Sequence, residues 1–362
     1  MSNFNKSSTD LFKTEDVIDL IYSVKTNGMY ITLSEEDYAV IKDDIELFRT
    51  NKDAENNRYK YTEKQFIKLV FMNMYEKTVY KERSKTDSKG GSVRKKTAAK
   101  YNIKPNKGMM DIMLEKVVTP LKKNDKNCKI YPPDCAAFFI QVIAEYCKMS
   151  LIERERIFYK RLISDLNDEI ELKYLLKLKK NDGKDGKRNS FFLPYKIKKS
   201  DDVHKNYITG FALSKTNAGY IYDKTLCVPI NRIFSYQRIE RIRPEKDISF
   251  KKDSGIQSYA DMKDYIEERF RTDGVLYLSD ILRDVTVRLT DNGKEFFLSR
   301  TQHRPVYEFD KNDDHLVRCR ATQLQTFMYF FKFGGDAEIL EPEDYREFFE
   351  KKYKEAYLVY NG

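Results

Sequence analysis

Residues 66–74, FIKLVFMNM, are apolar nearly all the way round a helix, and this stretch restricts the possible folds more than any other. Thr62 and Gln65 stand three apart just before it, which is the spacing of a capping box, so a helix is expected to begin there. Phe66, Ile67, Leu69, Val70, Phe71, Met72 and Met74 leave little polar face to turn toward water. The residues ahead of it offer little cover. Met29, Ile31 and Leu33 alternate as one face of a short strand, Ser34 with Asp37 reads as an N-cap, and Tyr38, Ile41, Ile45 and Phe48 follow at helical spacing. One short strand and one small helix cannot bury the second helix, so a partner chain is expected over it.

At 362 residues the chain is too long for one ordinary core, and two to four modules are expected. A hydrophobic share of 41%, with 26 Tyr and 23 Phe, is ample for folded cores. The start, MSNFNKSSTD, has no apolar leader, and no run of 18 apolar residues occurs, so the expected location is the cytoplasm with no membrane contact. Five cysteines at irregular spacing and three His give neither a disulfide framework nor a zinc site. HExxH, a nucleophile elbow and a GxxxxGK[ST] loop are all missing. No catalytic residue, metal or cofactor is therefore expected, and a binding protein is favoured over an enzyme.

Charge points to the partner. The net +10 is uneven: residues 81–107 hold ten Lys or Arg against Glu82 and Asp87, and residues 173–199 hold ten against Asp182 and Asp185. Two concentrated positive segments on a slightly acidic body are the footprint of a polyanion binder. Residues 15–55 are the opposite, with eleven acidic and four basic residues.

Strand, helix, helix over residues 29–78 resembles a ribbon-helix-helix unit, a family of obligate dimers whose paired strands can enter a DNA major groove. Its outward strand positions here are Tyr30 and Thr32. Arg, Lys, Gln or Asn usually read base edges, so dimerisation is the expected role of this 1–80 unit. Residues 81–107 lack a hydrophobic period, contain Gly90-Gly91 and read as a flexible basic linker. Residues 108–189 read as a helical connector closed by the turn NDGKDGKRN.

From 190 the character changes to short strands: FFLPYKIKK, HKNYITGFALSK, AGYIYD and LCVPINRIFSY. Asn206-Tyr207-Ile208, then Thr209-Gly210-Phe211, and later Val228-Pro229-Ile230-Asn231-Arg232-Ile233, with Pro194-Tyr195 ahead, resemble the motifs of the WYL domain. The Trp of the namesake triplet is missing, and Pro229 stands where the family has an Arg. The resemblance implies a small Sm-like barrel over 190–250. DVTVRLTDNGKEFFLS and the segment from His315 to Tyr360 read strand, helix, strand, helix, strand, helix, and resemble the extension after WYL domains, here 251–362, with possible dimerisation. The expected fold is thus α+β: a ribbon-helix-helix-like unit, a helical connector, an Sm-like barrel and an α/β extension.

This domain order resembles the WYL accessory proteins of type VI-D CRISPR systems. That resemblance implies a homodimer that binds single-stranded RNA and enhances an RNA-targeting effector nuclease. A second reading is a transcription regulator whose ribbon reads DNA while the WYL barrel senses a nucleic-acid or nucleotide ligand. Single strands need a positive groove and ring faces for bases. By alternation, Tyr207, Thr209, Phe211, Leu213 and Lys215 share a strand face, and Arg232 shares one with Val228 and Ile230. Tyr207, Lys215 and Arg232 are the expected pocket, with Tyr195 beside it and Lys196, Lys198, Arg238 and Arg241 on phosphates.

Overall fold

The computed structural model describes residues 15–48, 61–81, 97–125, 127–180, 190–200, 203–251, 255–279, 281–302 and 304–361. The chain divides into two compact units, Met1–Ser164 and Asp165–Gly362. Most of the basic stretch of the expected linker (82–96) and the NDGKDGKRN turn lie outside the described residues.

The first unit opens with helix α1 (Glu15–Asn27) and strand β1 (Met29–Ser34), joined by Gly28. Gly28 has φ +75°, where any side chain would strain the backbone, and a Cβ there would also push aside Asn102 Oδ1, 2.0 Å away. Helix α2 (Glu35–Leu47) starts where Ser34 Oγ accepts the Asp37 amide, and α3 (Glu63–Met74) starts at the Thr62–Gln65 capping box. Strand β2 (Thr97–Ile103) pairs antiparallel with β1, setting Met29 against Ile103, Tyr30 against Asn102 and Thr32 against Lys100. Helix α4 (Lys107–Met113) follows, and a π-turn leads it into α5 (Thr119–Asn124). Helices α6 (Pro132–Cys147) and α7 (Leu151–Phe158) complete the unit.

Two expectations change here. Residues 97–103 are a strand and Lys107 begins a helix, so the linker reading of 81–107 fails from Thr97 onward. Tyr101 and Ile103 are buried at alternate positions, a two-residue apolar phase too short to stand out beside so many lysines. The apolar α3 is covered from within the chain. Phe71 stacks on Phe139 of α6 with centroids 4.4 Å apart and meets Phe138 edge-on, while Phe66 packs on Tyr146 and Phe158. Its surface no longer calls for a second copy, because the cover comes from a helix about seventy residues away in sequence.

The second unit takes in most of helix α8 (Lys160–Leu172). It contains a six-stranded sheet in the order β7-β3-β4-β5-β6-β8, built from β3 (Tyr174–Lys180), β4 (Ser190–Ser200), β5 (Lys205–Thr216), β6 (Gly219–Pro229), β7 (Ile233–Arg241) and the short β8 (Ile248–Ser249). A one-turn helix α9 (Pro244–Asp247) leads into β8, and α10 (Tyr259–Thr272) packs against the sheet. Antiparallel pairing runs from β7 to β6, and β8 joins in parallel. The sheet is open, with β7 and β8 as its edges and no pairing between them among the described residues, so the expected closed barrel is not formed. Residues 174–180 also leave the expected helical connector. Lys173 takes φ +56°, which ends α8, and β3 then lies between β7 and β4.

Strand β5 is buried from Asn206 through Leu213. Gly210 lies where a Cβ would come 2.1 Å from the Leu193 carbonyl oxygen, beside a bulge between Pro194 and Lys196. Gly210→Ala is expected to lower stability by about 1–3 kcal/mol by forcing those backbones apart, measured as a shift in the chemical-denaturation midpoint.

A four-stranded sheet follows in the order β10-β11-β9-β12, from β9 (Arg283–Leu289), β10 (Tyr307–Phe309), β11 (Leu316–Ala321) and β12 (Ala337–Glu341). Helices α11 (Asp291–Ser299), α12 (Gln323–Phe330) and α13 (Glu343–Asn361) contribute Phe297, Phe330, Tyr345 and Phe349 to a core with Val285, Val287 and Val317. This alternation of strands and helices matches the sequence reading, with β10 as one short addition. No helix among the described residues is long and apolar enough to cross a membrane.

Candidate nucleic-acid interface

Two of the eight expected contact residues converge. Lys215 near the end of β5 and Arg241 at the end of β7 line one cleft of about 990 Å³. The β5–β6 hairpin sets Lys215 opposite Tyr220, and the β3–β7 pairing sets Arg241 opposite Tyr174. The Ile242 amide donates to the Lys173 carbonyl at 3.1 Å, which brings the segment after β7 onto the start of β3. Lys173, Arg243 and Lys246 therefore join the same cleft.

Four carboxylates share this lining, and they do not neutralise every cation. Lys173 pairs with Glu245 at 3.4 Å and Arg243 with Asp247 at 3.9 Å. A backbone hydrogen bond, and after it the Lys173 ammonium, hold the Glu245 carboxyl below its usual range. Glu240 accepts the hydroxyl of Tyr220, and burial first, then that carboxylate, push the Tyr220 pKa up. Lys215, Arg241 and Lys246 are exposed and have no ion pair among the described residues. Lys215 Nζ stands 5.9 Å from the centre of the buried Tyr220 ring. The cleft thus offers three free cations to an anion but no open ring face.

The other six expected residues lie elsewhere. Tyr207 is only 4% exposed and sits in the core with Leu193, Phe211 and Leu213, so it is closed to a stacking base. Alternation gave its phase correctly; both faces of β5 are covered. Arg232 is exposed, but on a 3-10 turn over Ile230–Arg232 and not on a strand. Pro229 precedes that turn with φ −58° and no amide hydrogen for a ladder, so β6 stops there.

Tyr195 and Lys196 both donate to Glu267 of α10, each at 2.9 Å. Burial first, then that carboxylate, raise the Tyr195 hydroxyl to about 12. Burial works against the charge on Glu267, but its hydrogen bonds from Lys196 and Tyr195 outweigh this and leave its pKa lowered. Lys198 Nζ lies 4.7 Å from the centre of the Phe270 ring on the same helix. These strand cations tie β4 to α10. Arg238 is engaged as well, by Nε at 2.9 Å and Nη2 at 2.6 Å from the buried Glu169 carboxylate, with Tyr174 at 4.4 Å beneath it.

Sequence reasoning missed Lys173, Arg243 and Lys246. The run Arg241-Ile242-Arg243-Pro244-Glu245-Lys246 was a usable signal, since a proline-broken basic stretch just after a strand belongs at a sheet end. No group of three or more His, Cys, Asp or Glu able to hold a metal occurs among the described residues. None of the five cysteines is joined in a disulfide, and burial raises Cys135, Cys147 and Cys319 to about 12.

No family model and no curated protein matches the chain. A crystal structure described as a CRISPR Cas-related protein shares its fold, with a TM-score of 0.58 and 18% identity over 92% of this chain and 94% of that one. The proteasome accessory factor B/C of Arthrobacter aurescens aligns over 70% of this chain and 36% of its own, at a TM-score of 0.27 and 12% identity, too low to carry an argument.

Proposed function

We propose that the protein is a single-stranded RNA-binding accessory factor that raises the activity of an RNA-targeting CRISPR effector, acting by binding and without a catalytic step of its own. The observation that carries the binding half is the cleft where Lys215, Arg241 and Lys246 have no ion pair among the described residues. A positive groove of this kind follows a sugar–phosphate backbone without reading sequence, and salt weakens its grip. The CRISPR half draws on the fold shared with a CRISPR Cas-related protein and on the WYL-like motifs. The contact set becomes Lys215 and Arg241 joined by Lys173, Arg243 and Lys246, in place of Tyr207, Arg232, Tyr195, Lys196, Lys198 and Arg238.

The test is a fluorescence-anisotropy titration of labelled single-stranded RNA and duplex DNA at two salt concentrations. The wild-type chain is expected to prefer the single strand. Lys215→Glu combined with Arg241→Glu should weaken binding about ten-fold or more and flatten the salt dependence by roughly two phosphates' worth. An unchanged affinity removes the cleft from the interface. Preference for a palindromic duplex turns the reading to a DNA-binding regulator, and an effector cleavage assay unmoved by added protein removes the accessory role.

A further inference from the structure

The chain runs strand, helix, helix twice in its first unit: β1, α2, α3, and then β2, the helical run from Lys107 to Asn124, and α6. The two strands pair with each other, so one molecule builds a complete two-stranded ribbon. Met29, Ile31, Leu33, Tyr101 and Ile103 fill its inner face. Tyr30, Thr32 and Lys100 form an open outer face.

We infer that this outer face is a second single-strand contact site, in which the Tyr30 ring stacks an unpaired base and Lys100 and Lys104 hold the flanking phosphates. The inference rests on reading the protein as a single-strand binder. Tyr30 is 61% exposed although large and aromatic, and Lys100 Nζ stands 4.7 Å from its ring centre. A ring beside a cation with no ion pair among the described residues can take a base face and a phosphate together.

Charge agrees along the ribbon. Residues 97–107 contain Lys100, Lys104 and Lys107 and no carboxylate, while Glu35 and Glu36 follow β1 at the opposite end, beside the Ser34–Thr97 pair. The strand is therefore expected to run from Tyr30 toward Lys104, away from those carboxylates. Duplex reading fits less well. Asn102, opposite Tyr30, is the base-edge reader by type, but its Nδ2 donates to the Asn27 carbonyl at 3.0 Å and its Oδ1 is buried. The ribbon also supplies what the cleft lacks, an open ring.

The experiment uses the full chain and a fluorescein-labelled twelve-residue oligouridine, read by anisotropy. Tyr30→Ala is expected to weaken binding about five-fold or more, and Tyr30→Phe to stay within about two-fold, since stacking needs the ring and not the hydroxyl. Lys100→Gln should flatten the salt dependence by about one phosphate. Tyr30 points outward, so these variants should melt like wild type, which a thermal scan checks. Wild-type affinity in Tyr30→Ala, or an equal loss in Tyr30→Phe, overturns the inference. So does a Tyr30-dependent preference for a duplex of the same length. Loss in Tyr30→Ala alone of the Tyr30 pair, with no loss in the Lys215 and Arg241 variants, would remove the cleft and leave the ribbon standing; the reverse would remove the ribbon alone. A wild-type chain that does not bind the oligouridine overturns both.

Discussion

Asp44→Ala is expected to destabilise the first unit by about 3–5 kcal/mol, with a matching fall in the denaturation midpoint. Asp44 is fully buried on α2. It accepts the Tyr146 hydroxyl at 2.7 Å, Arg154 Nε at 2.7 Å and Arg154 Nη2 at 3.0 Å, so one carboxylate joins three helices. Arg154, only 13% exposed at its side chain, also donates to the Met149 carbonyl. Removing the carboxylate leaves a largely buried guanidinium and a buried phenol without their partner, and such a stranded charge costs more than the pair contributes. Adding Arg154→Met should therefore restore a large part of the loss. A single Asp44→Ala variant within about 1 kcal/mol of wild type, or a double variant no better than the single, would contradict the buried arrangement.

Tyr207→Ala carries the second large effect, and on stability more than on affinity. Its ring lies in the core formed by the six-stranded sheet and α10, together with Phe211, Leu213, Tyr259 and Met262. Truncating a buried ring of this size costs about 3–5 kcal/mol through lost transfer energy and the cavity left behind. Tyr207→Phe keeps the ring and should stay within about 1.5 kcal/mol of wild type. Below its own unfolding transition, Tyr207→Ala should bind RNA as wild type does. A folded Tyr207→Ala with selectively lost RNA binding would return this residue to the interface and place the cleft's role in question.

The contrast between Tyr207 and Tyr30 shows what strand alternation can and cannot say. The sequence pattern places both residues on strands, and the structure gives each strand the same phase. Alternation says which side chains point the same way, but not whether that side is covered. Helix α10 comes from residues 259–272 and closes one face of β5, so Tyr207 is sealed while Tyr30 stays open. The β3 segment shows the same limit. LKYLLKLKK fits a helical or a two-residue period over so short a run, and the neighbouring strands β4 and β7 decide between them.

Caps, turns and short apolar phases act over three or four residues. The starts of α2 and α3, the strand β1, the run of strands after residue 190 and the alternating elements beyond 280 were therefore all set by sequence alone. Net charge and its clustering were equally fixed. Tertiary structure alone decided that β1 pairs with β2, that α6 covers α3, and that Lys215 shares a cleft with Arg241 while Arg238 is bound to Glu169. Each of these joins residues more than 25 apart in the chain, where no local propensity acts and only burial and pairing choose the neighbour.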